Sequence, residues 1–141
     1  MKKRTPQGIG LILVLILTGL LVNKFLFDTS SEVTVGGILN IKAHELNKSL
    51  PMDLDENTRV VKAQYIPPNS LRMNYVLHDV DWDNFDLKYF QDSTRHELLK
   101  TIINDPGLKL LRDSSVYFEF HYNDSTSRLV HKFQFGPEDY R

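Results

Sequence analysis

No cysteine occurs in the 141 residues. That excludes disulfides, thiolate metal sites, Cys nucleophiles and thiol redox chemistry. It also excludes lipid attachment at a lipobox cysteine. Glycine is scarce, with seven in all, and no Gly-rich phosphate loop is present. The serines do not sit in a G-x-S-x-G elbow. The five histidines, His44, His78, His96, His121 and His131, are scattered, whereas zinc sites usually show close ligand pairs. Acidic residues are missing from the first 27 positions, where Lys2, Lys3, Arg4 and Lys24 are the only charges. Of 17 Lys and Arg, 13 therefore remain to face all 18 Asp and Glu, leaving the rest of the chain at about −5. A mildly acidic domain has no electrostatic footprint for nucleic acid. There is no internal repeat and no low-complexity run.

What the chain does have is one long apolar run, Gly8 to Phe27 (GIGLILVLILTGLLVNKFLF), behind the basic start Met1-Lys2-Lys3-Arg4. About 20 apolar residues match the roughly 30 Å hydrocarbon core of a bilayer, and basic residues on the short side keep that end cytoplasmic. The expected organisation is a basic arm at 1–7, a single-pass signal-anchor helix at 8–27 contacting the lipid bilayer, a polar tether at 28–37 and an extracytoplasmic domain at 38–141. A cleaved secretory signal is the alternative, although the cleavage points near Thr29-Ser30-Ser31 or Val35-Gly36-Gly37 do not resemble Ala-x-Ala. A pilin-like leader ending at Gly8 lacks the early acidic residue that such a stem uses.

The remaining residues, about 105, suffice for one core. Ile38 to Leu50 places Leu39, Ala43, Leu46 and Leu50 on one helical face, and Pro51 ends it. Thr58 to Ile66 reads as a strand with Val61, Ala63 and Tyr65 on one side. Pro67-Pro68-Asn69-Ser70 is a turn, and Leu71 to His78 returns as the second strand of a hairpin. Leu87 to Ile103 carries a helical stripe of Leu87, Phe90, Leu98, Leu99, Ile102 and Ile103, with an interruption near Asp92 that Asp92 or Ser93 caps. Val116 to Tyr122 and Arg128 to Phe135 alternate with period two around a polar turn. The expected fold class is α+β: a transmembrane helix, then an α-β-β-α-β-β domain whose antiparallel sheet is covered by helix on one face.

The stretch Leu46-Asn47-Lys48-Ser49-Leu50-Pro51-Met52-Asp53-Leu54-Asp55-Glu56-Asn57-Thr58-Arg59, with the later Leu71 to Leu77, resembles a group of small exported bacterial proteins of unassigned activity. That group has an LP-x-x-x-D-x-x-T-R segment and a C-terminal β-hairpin. The resemblance implies fold and export rather than an activity. Many members carry two Cys, and the matching positions here are Ile103 and Tyr140, so the resemblance implies an apolar contact between those two residues.

Asp79-Val80-Asp81-Trp82-Asp83-Asn84-Phe85-Asp86 is the one carboxylate cluster. Asp79, Asp81 and Asp83 match the first ligand positions of a calcium loop, but Asn84 stands where Gly makes the turn and Phe90 where a bidentate Glu is needed. The bland reading is a solvated loop. A site of His121 and His131 with Glu119 is the other metal arrangement that the strands allow, against a structural role for each residue. Arg59 at a strand start is read as an ion pair with Asp55 or Glu56. Trp82, Phe85, Tyr89 and Phe90 cluster beside the acidic loop, and aromatics that stay exposed mark binding hot spots. Asp79, Asp81, Trp82, Asp83, Phe85 and Tyr89 are therefore the candidate partner-binding residues, with no cofactor and no metal assigned. The leading functional expectation is a non-enzymatic, membrane-anchored accessory or binding module of a bacterial envelope that contacts a partner protein. The alternatives are an inhibitor or immunity-type protein using the acidic loop, and a metal-assisted hydrolase.

Overall fold

The computed structural model describes residues 34–141. The expected spanning helix at 8–27 lies outside these residues, and among the described residues no helix is long and apolar enough to cross a membrane. The chain order is α1 (Val35–Asn47), β1 (Met52–Asp53), β2 (Thr58–Ile66), β3 (Ser70–Leu77), α2 (Leu87–Asn104), α3 (Lys109–Asp113), β4 (Tyr117–Asp124), β5 (Leu129–Phe135) and α4 (Pro137–Tyr140), with single 3₁₀ turns at Trp82–Asn84 and Pro106–Leu108.

α1 starts three residues before the expected Ile38, because the Thr34 hydroxyl accepts the Gly37 N–H at 3.1 Å and caps the helix. Gly36 lets it pass close to β2: a Cβ there would meet the Tyr65 hydroxyl oxygen at 2.5 Å. α2 runs unbroken through Asp92. Its cap is Asp86, whose Oδ1 accepts the Tyr89 N–H at 2.8 Å. Asp92 instead pairs with Lys88, and the Ser93 hydroxyl donates back to the Tyr89 carbonyl. Phe90, Thr94, Leu98, Thr101 and Ile102 form the buried stripe of α2, while Leu87 and Ile103 face solvent. Arg112 closes the far end, donating from Nη1 to the carbonyls of Ile102 and Asp105 at 2.7 Å each.

The five strands stand in the order β1-β2-β3-β4-β5. β2–β3 and β4–β5 are the two expected hairpins, but β3 and β4 pair in parallel, with Tyr75 opposite Tyr122 and Leu77 opposite Asp124. This corrects the expected antiparallel α-β-β-α-β-β domain to a mixed α/β domain with a mixed sheet. The reason lies in the connection. Parallel neighbours need a crossover of a dozen or more residues, and the segment carrying α2 and α3 provides one. The two-residue strand β1, which shows too little alternation to be read in sequence, pairs Asp53 with Arg59 and Met52 with Val60. A register shift between Val60 and Lys62 breaks the period-two pattern of β2. Val60 therefore joins Ala63 in the core, where strict alternation had placed Val61 instead.

One face of the sheet carries the core. Leu39, Ala43 and Leu46 of α1 and the buried stripe of α2 cover Val60, Ala63, Leu71, Met73, Tyr75, Phe118, Phe120, Tyr122, Phe133 and Phe135. Burying each large apolar side chain contributes on the order of 1.5–3 kcal/mol. The opposite face is polar, with Arg72 and Glu119 joined at 2.7 Å near its centre. Tyr140 of α4 is buried with its ring edge-on to Phe118 and its hydroxyl donating to the Val116 carbonyl at 2.9 Å, while Ile103 is exposed.

Candidate functional site

Because β3 and β4 are parallel, the loop leaving Leu77 and the turn leaving Asp124 emerge at the same end of the sheet. The loop is pinned by Asn57, whose side-chain amide donates to the carbonyls of His78 and Asp79 at 3.0 Å each. Asp79 sits at φ 53°, a left-handed conformation that Asp tolerates better than most residues. Its carboxylate lies 3.1 Å from His78 Nδ1. Asp81 accepts from the Asn84 side chain at 2.9 Å, and Asp86 is spent as the cap of α2. Asp79, Asp81 and Asp86 thus have separate local duties. Among the described residues no group of three or more His, Asp or Glu is placed to hold a metal ion.

The aromatic residues of this loop do converge. The Trp82 and Phe85 ring centroids are 4.9 Å apart, Phe85 and Phe90 5.5 Å, Phe90 and Tyr122 5.3 Å, and Tyr122 and Tyr75 4.6 Å. A continuous ladder of rings therefore runs from the sheet centre to the surface. Its inner members, Phe90, Tyr122 and Tyr75, are buried, while Trp82 keeps 41% of its surface exposed. On the first turn of α2, Leu87 and Tyr89 are 43% and 51% exposed. Leu129, at the start of β5 and the same end of the sheet, is exposed as well. Leu87 and Leu129 were not among the sequence candidates. Leu87 fits the helical stripe by spacing, and only the packing of α2 leaves it outside. The six candidates therefore divide: Trp82 and Tyr89 are exposed, as is Leu87, Phe85 packs on Trp82, and Asp79, Asp81 and Asp83 belong to the same loop as Trp82.

The imagined pair of His121 and His131 is not formed. His121 pairs with Lys132 and His131 with Tyr122, so the two imidazoles point to opposite faces of β4–β5. His121 lies on the polar face, its Nε2 3.3 Å from Glu119 Oε2. Burial, then the charge of Arg72, pushes its pKa down. His131 lies on the core face, with Nδ1 3.1 Å from Gln91 Nε2 and its ring 4.5 Å from Phe133. Burial followed by the charge of Arg95 lowers its pKa too. Arg59 pairs with Asp53 of β1 at 2.7 Å rather than with Asp55 or Glu56, because the unexpected strand sets Asp53 directly opposite.

No protein-family model and no curated protein matches the chain. Solved structures do. A candidate secreted protein from Pseudomonas aeruginosa superposes with a TM-score of 0.67 at 16% identity, over 80% of this chain and 100% of that one. EpsS, a pilotin of the type II secretion system of Vibrio vulnificus, gives 0.61 at 9% identity over 76% and 92% of the two chains. The type II secretion pilotin AspS of Vibrio cholerae gives 0.58 at 10% identity over 74% and 91%. The domain shares their fold. At such identities the likeness is one of architecture alone.

Proposed function

We propose that this chain is a non-enzymatic accessory module of a bacterial envelope that engages a partner protein through the surface formed by Trp82, Leu87 and Tyr89. The observation that carries the reading is the exposed indole of Trp82, fixed to the core through Phe85, Phe90 and Tyr122. An aromatic side chain held rigid loses little conformational entropy on binding, and Trp and Tyr dominate interface energetics. The fold shared with a candidate secreted protein and two secretion pilotins supports an envelope setting and an assembly role. The apolar run at 8–27 behind a basic start supports export, with membrane attachment through that run as the finer form of the proposal. The Asp79, Asp81 and Asp83 carboxylates add a polar, charged rim that favours orientation over affinity.

The test is site-specific photocrosslinking in the native host with the full chain. A crosslinker at position 82 or 89 is expected to capture a discrete protein, and one at Lys109 is not. The same material, examined by mass spectrometry of its N-terminus, distinguishes an intact anchored chain from a processed one. Absence of any adduct from positions 82, 87 and 89 would sink the reading.

A further inference from the structure

The two edges of the sheet are finished differently. At one edge β1 covers β2 at Arg59 and Val60, and the Asn47 amide takes up both backbone groups of Ala63. At the other, β5 is the last strand. Among the described residues its backbone from 131 to 135 pairs with β4 alone, from Tyr122 opposite His131 to Phe118 opposite Phe135. A strand paired on one side turns the N–H and C=O of alternate residues away from its neighbour. The 131–135 run holds neither proline nor an acidic residue, so an open ladder of about five residues remains, the length of an ordinary strand. The register fixes what lies on either side of it. On the core side stand His131, Phe133 and Phe135, with Gln91 Nε2 3.1 Å from His131 Nδ1 and the Arg95 guanidinium 4.9 Å from the Phe135 ring centre. On the polar side stand Lys132 and Gln134, both exposed. Lys132 closes a row that runs Lys62, Asn74, His121, Lys132 across the sheet, and Gln134 closes the row Gln64, Arg72, Glu119, Gln134. These rows set Lys62, Arg72 and Lys132 against one carboxylate, Glu119, which Arg72 already holds at 2.7 Å. The polar side is therefore locally positive on a domain that is acidic as a whole.

We propose that the free edge of β5 receives an extended segment of a partner protein as an added strand, with carboxylate side chains on the polar side and apolar ones on the core side. In strand addition the main-chain hydrogen bonds supply affinity and the alternating side chains supply selectivity. Side chains directly opposite on one face of a strand pair come within about 5 Å, so a carboxylate opposite Lys132 makes a favourable cross-strand pair. On the other face, an apolar residue opposite Phe133 continues the layer that Phe120 and Phe133 form across β4 and β5. A second copy of this chain is the poorer occupant, since it brings Arg128 and Lys132 to an edge that carries the same charges. The edge is a different surface from that of Trp82, and either can fail without the other.

Residue-resolved amide hydrogen exchange of the full chain in mild detergent tests this, with a seven-residue peptide that alternates Glu and Val and is blocked at both ends. In the free chain, alternate amides of 131–135 should exchange fast. The Glu/Val peptide at millimolar concentration should protect them. A Lys/Val peptide should do so less, and a Glu/Pro peptide, short of N–H donors, should not. Lys132→Glu, a change at an exposed position, is expected to weaken the Glu/Val peptide about five-fold and to favour the Lys/Val one. Slow exchange of all these amides before peptide is added would show the edge already taken, by the chain itself or, where dilution speeds the exchange, by a second copy. Either result would overturn the proposal. So would equal protection by the Lys/Val peptide, or no protection of β5 by the Glu/Val peptide.

Discussion

The side-chain amide of Asn47 bonds both backbone polar groups of Ala63, its Oδ1 accepting the N–H and its Nδ2 donating to the carbonyl, each at 2.8 Å. One side chain at the end of α1 thereby does the work of a strand. β1 covers β2 only at Arg59 and Val60, and beyond the register shift the outer edge of β2 would otherwise present free groups. Asn47→Ala is expected to destabilise the domain by about 1–3 kcal/mol, since both Ala63 groups lose their partner. Asn47→Asp is expected to be no better, because its carboxylate faces the Ala63 carbonyl. Urea unfolding of the full chain followed by circular dichroism measures both.

Asp124 organises the β4–β5 turn. Its Oδ1 accepts from the Thr126 hydroxyl at 2.6 Å and from the N–H groups of Thr126 and Arg128 at 2.9 Å, and Oδ2 lies 3.3 Å from Arg128 Nε. These bonds, the Thr126 hydroxyl first, favour the ionised form and pull its pKa down to about 2. An unfolded Asp titrates near 3.9, so the unfolded chain binds this proton first as pH falls. The contribution is complete above about pH 4 and is lost as pH falls toward 2. Asp124→Asn is expected to flatten the slope of stability against pH in that window, and an unchanged slope would contradict the assignment.

Trp82 is the sole tryptophan, so tryptophan emission, excited selectively over the tyrosines, reports on the proposed surface. Trp82→Ala is expected to cost about 1 kcal/mol of folding stability through the lost Phe85 contact. It should weaken binding of the captured partner about 30-fold or more, the scale of a hot spot of 2 kcal/mol. Titration of that partner into the full chain should shift the emission maximum. An affinity that survives Trp82→Ala would move the interface elsewhere.

Arg112 reaches across from α3 to two carbonyls at the end of α2. Arg112→Ala is expected to destabilise by about 1.5–3 kcal/mol, the range for hydrogen bonds from a charged group. Arg112→Lys should recover only part of that, because an ammonium lacks the planar fork. Hydrogen exchange should show the loss first at the C-terminal turn of α2.

Most elements are legible in the chain because their cause is local. Period-two alternation marks β3, β4 and β5, helical spacing marks α1 and α2, and Pro51 and Pro106 set boundaries. β1 is not legible, since two residues carry no period, and neither is the register shift in β2, which only pairing with β3 reveals. Of the candidate surface, the cluster of Trp82, Phe85, Tyr89 and Phe90 is visible as a run of residue types. Which rings stay outside is not, because burial depends on the partner face.

By itself the sequence determined a basic-then-apolar start, an acidic remainder without cysteine, and a domain built from two hairpins and a connecting helix. The tertiary structure alone decided that the hairpins meet in parallel. It also turned His121 and His131 to opposite faces, left Leu87 exposed and set Tyr75 against Tyr122. Periodicity states which residues share a face of one element, but the meeting of two elements is fixed by long-range packing, which local sequence does not encode.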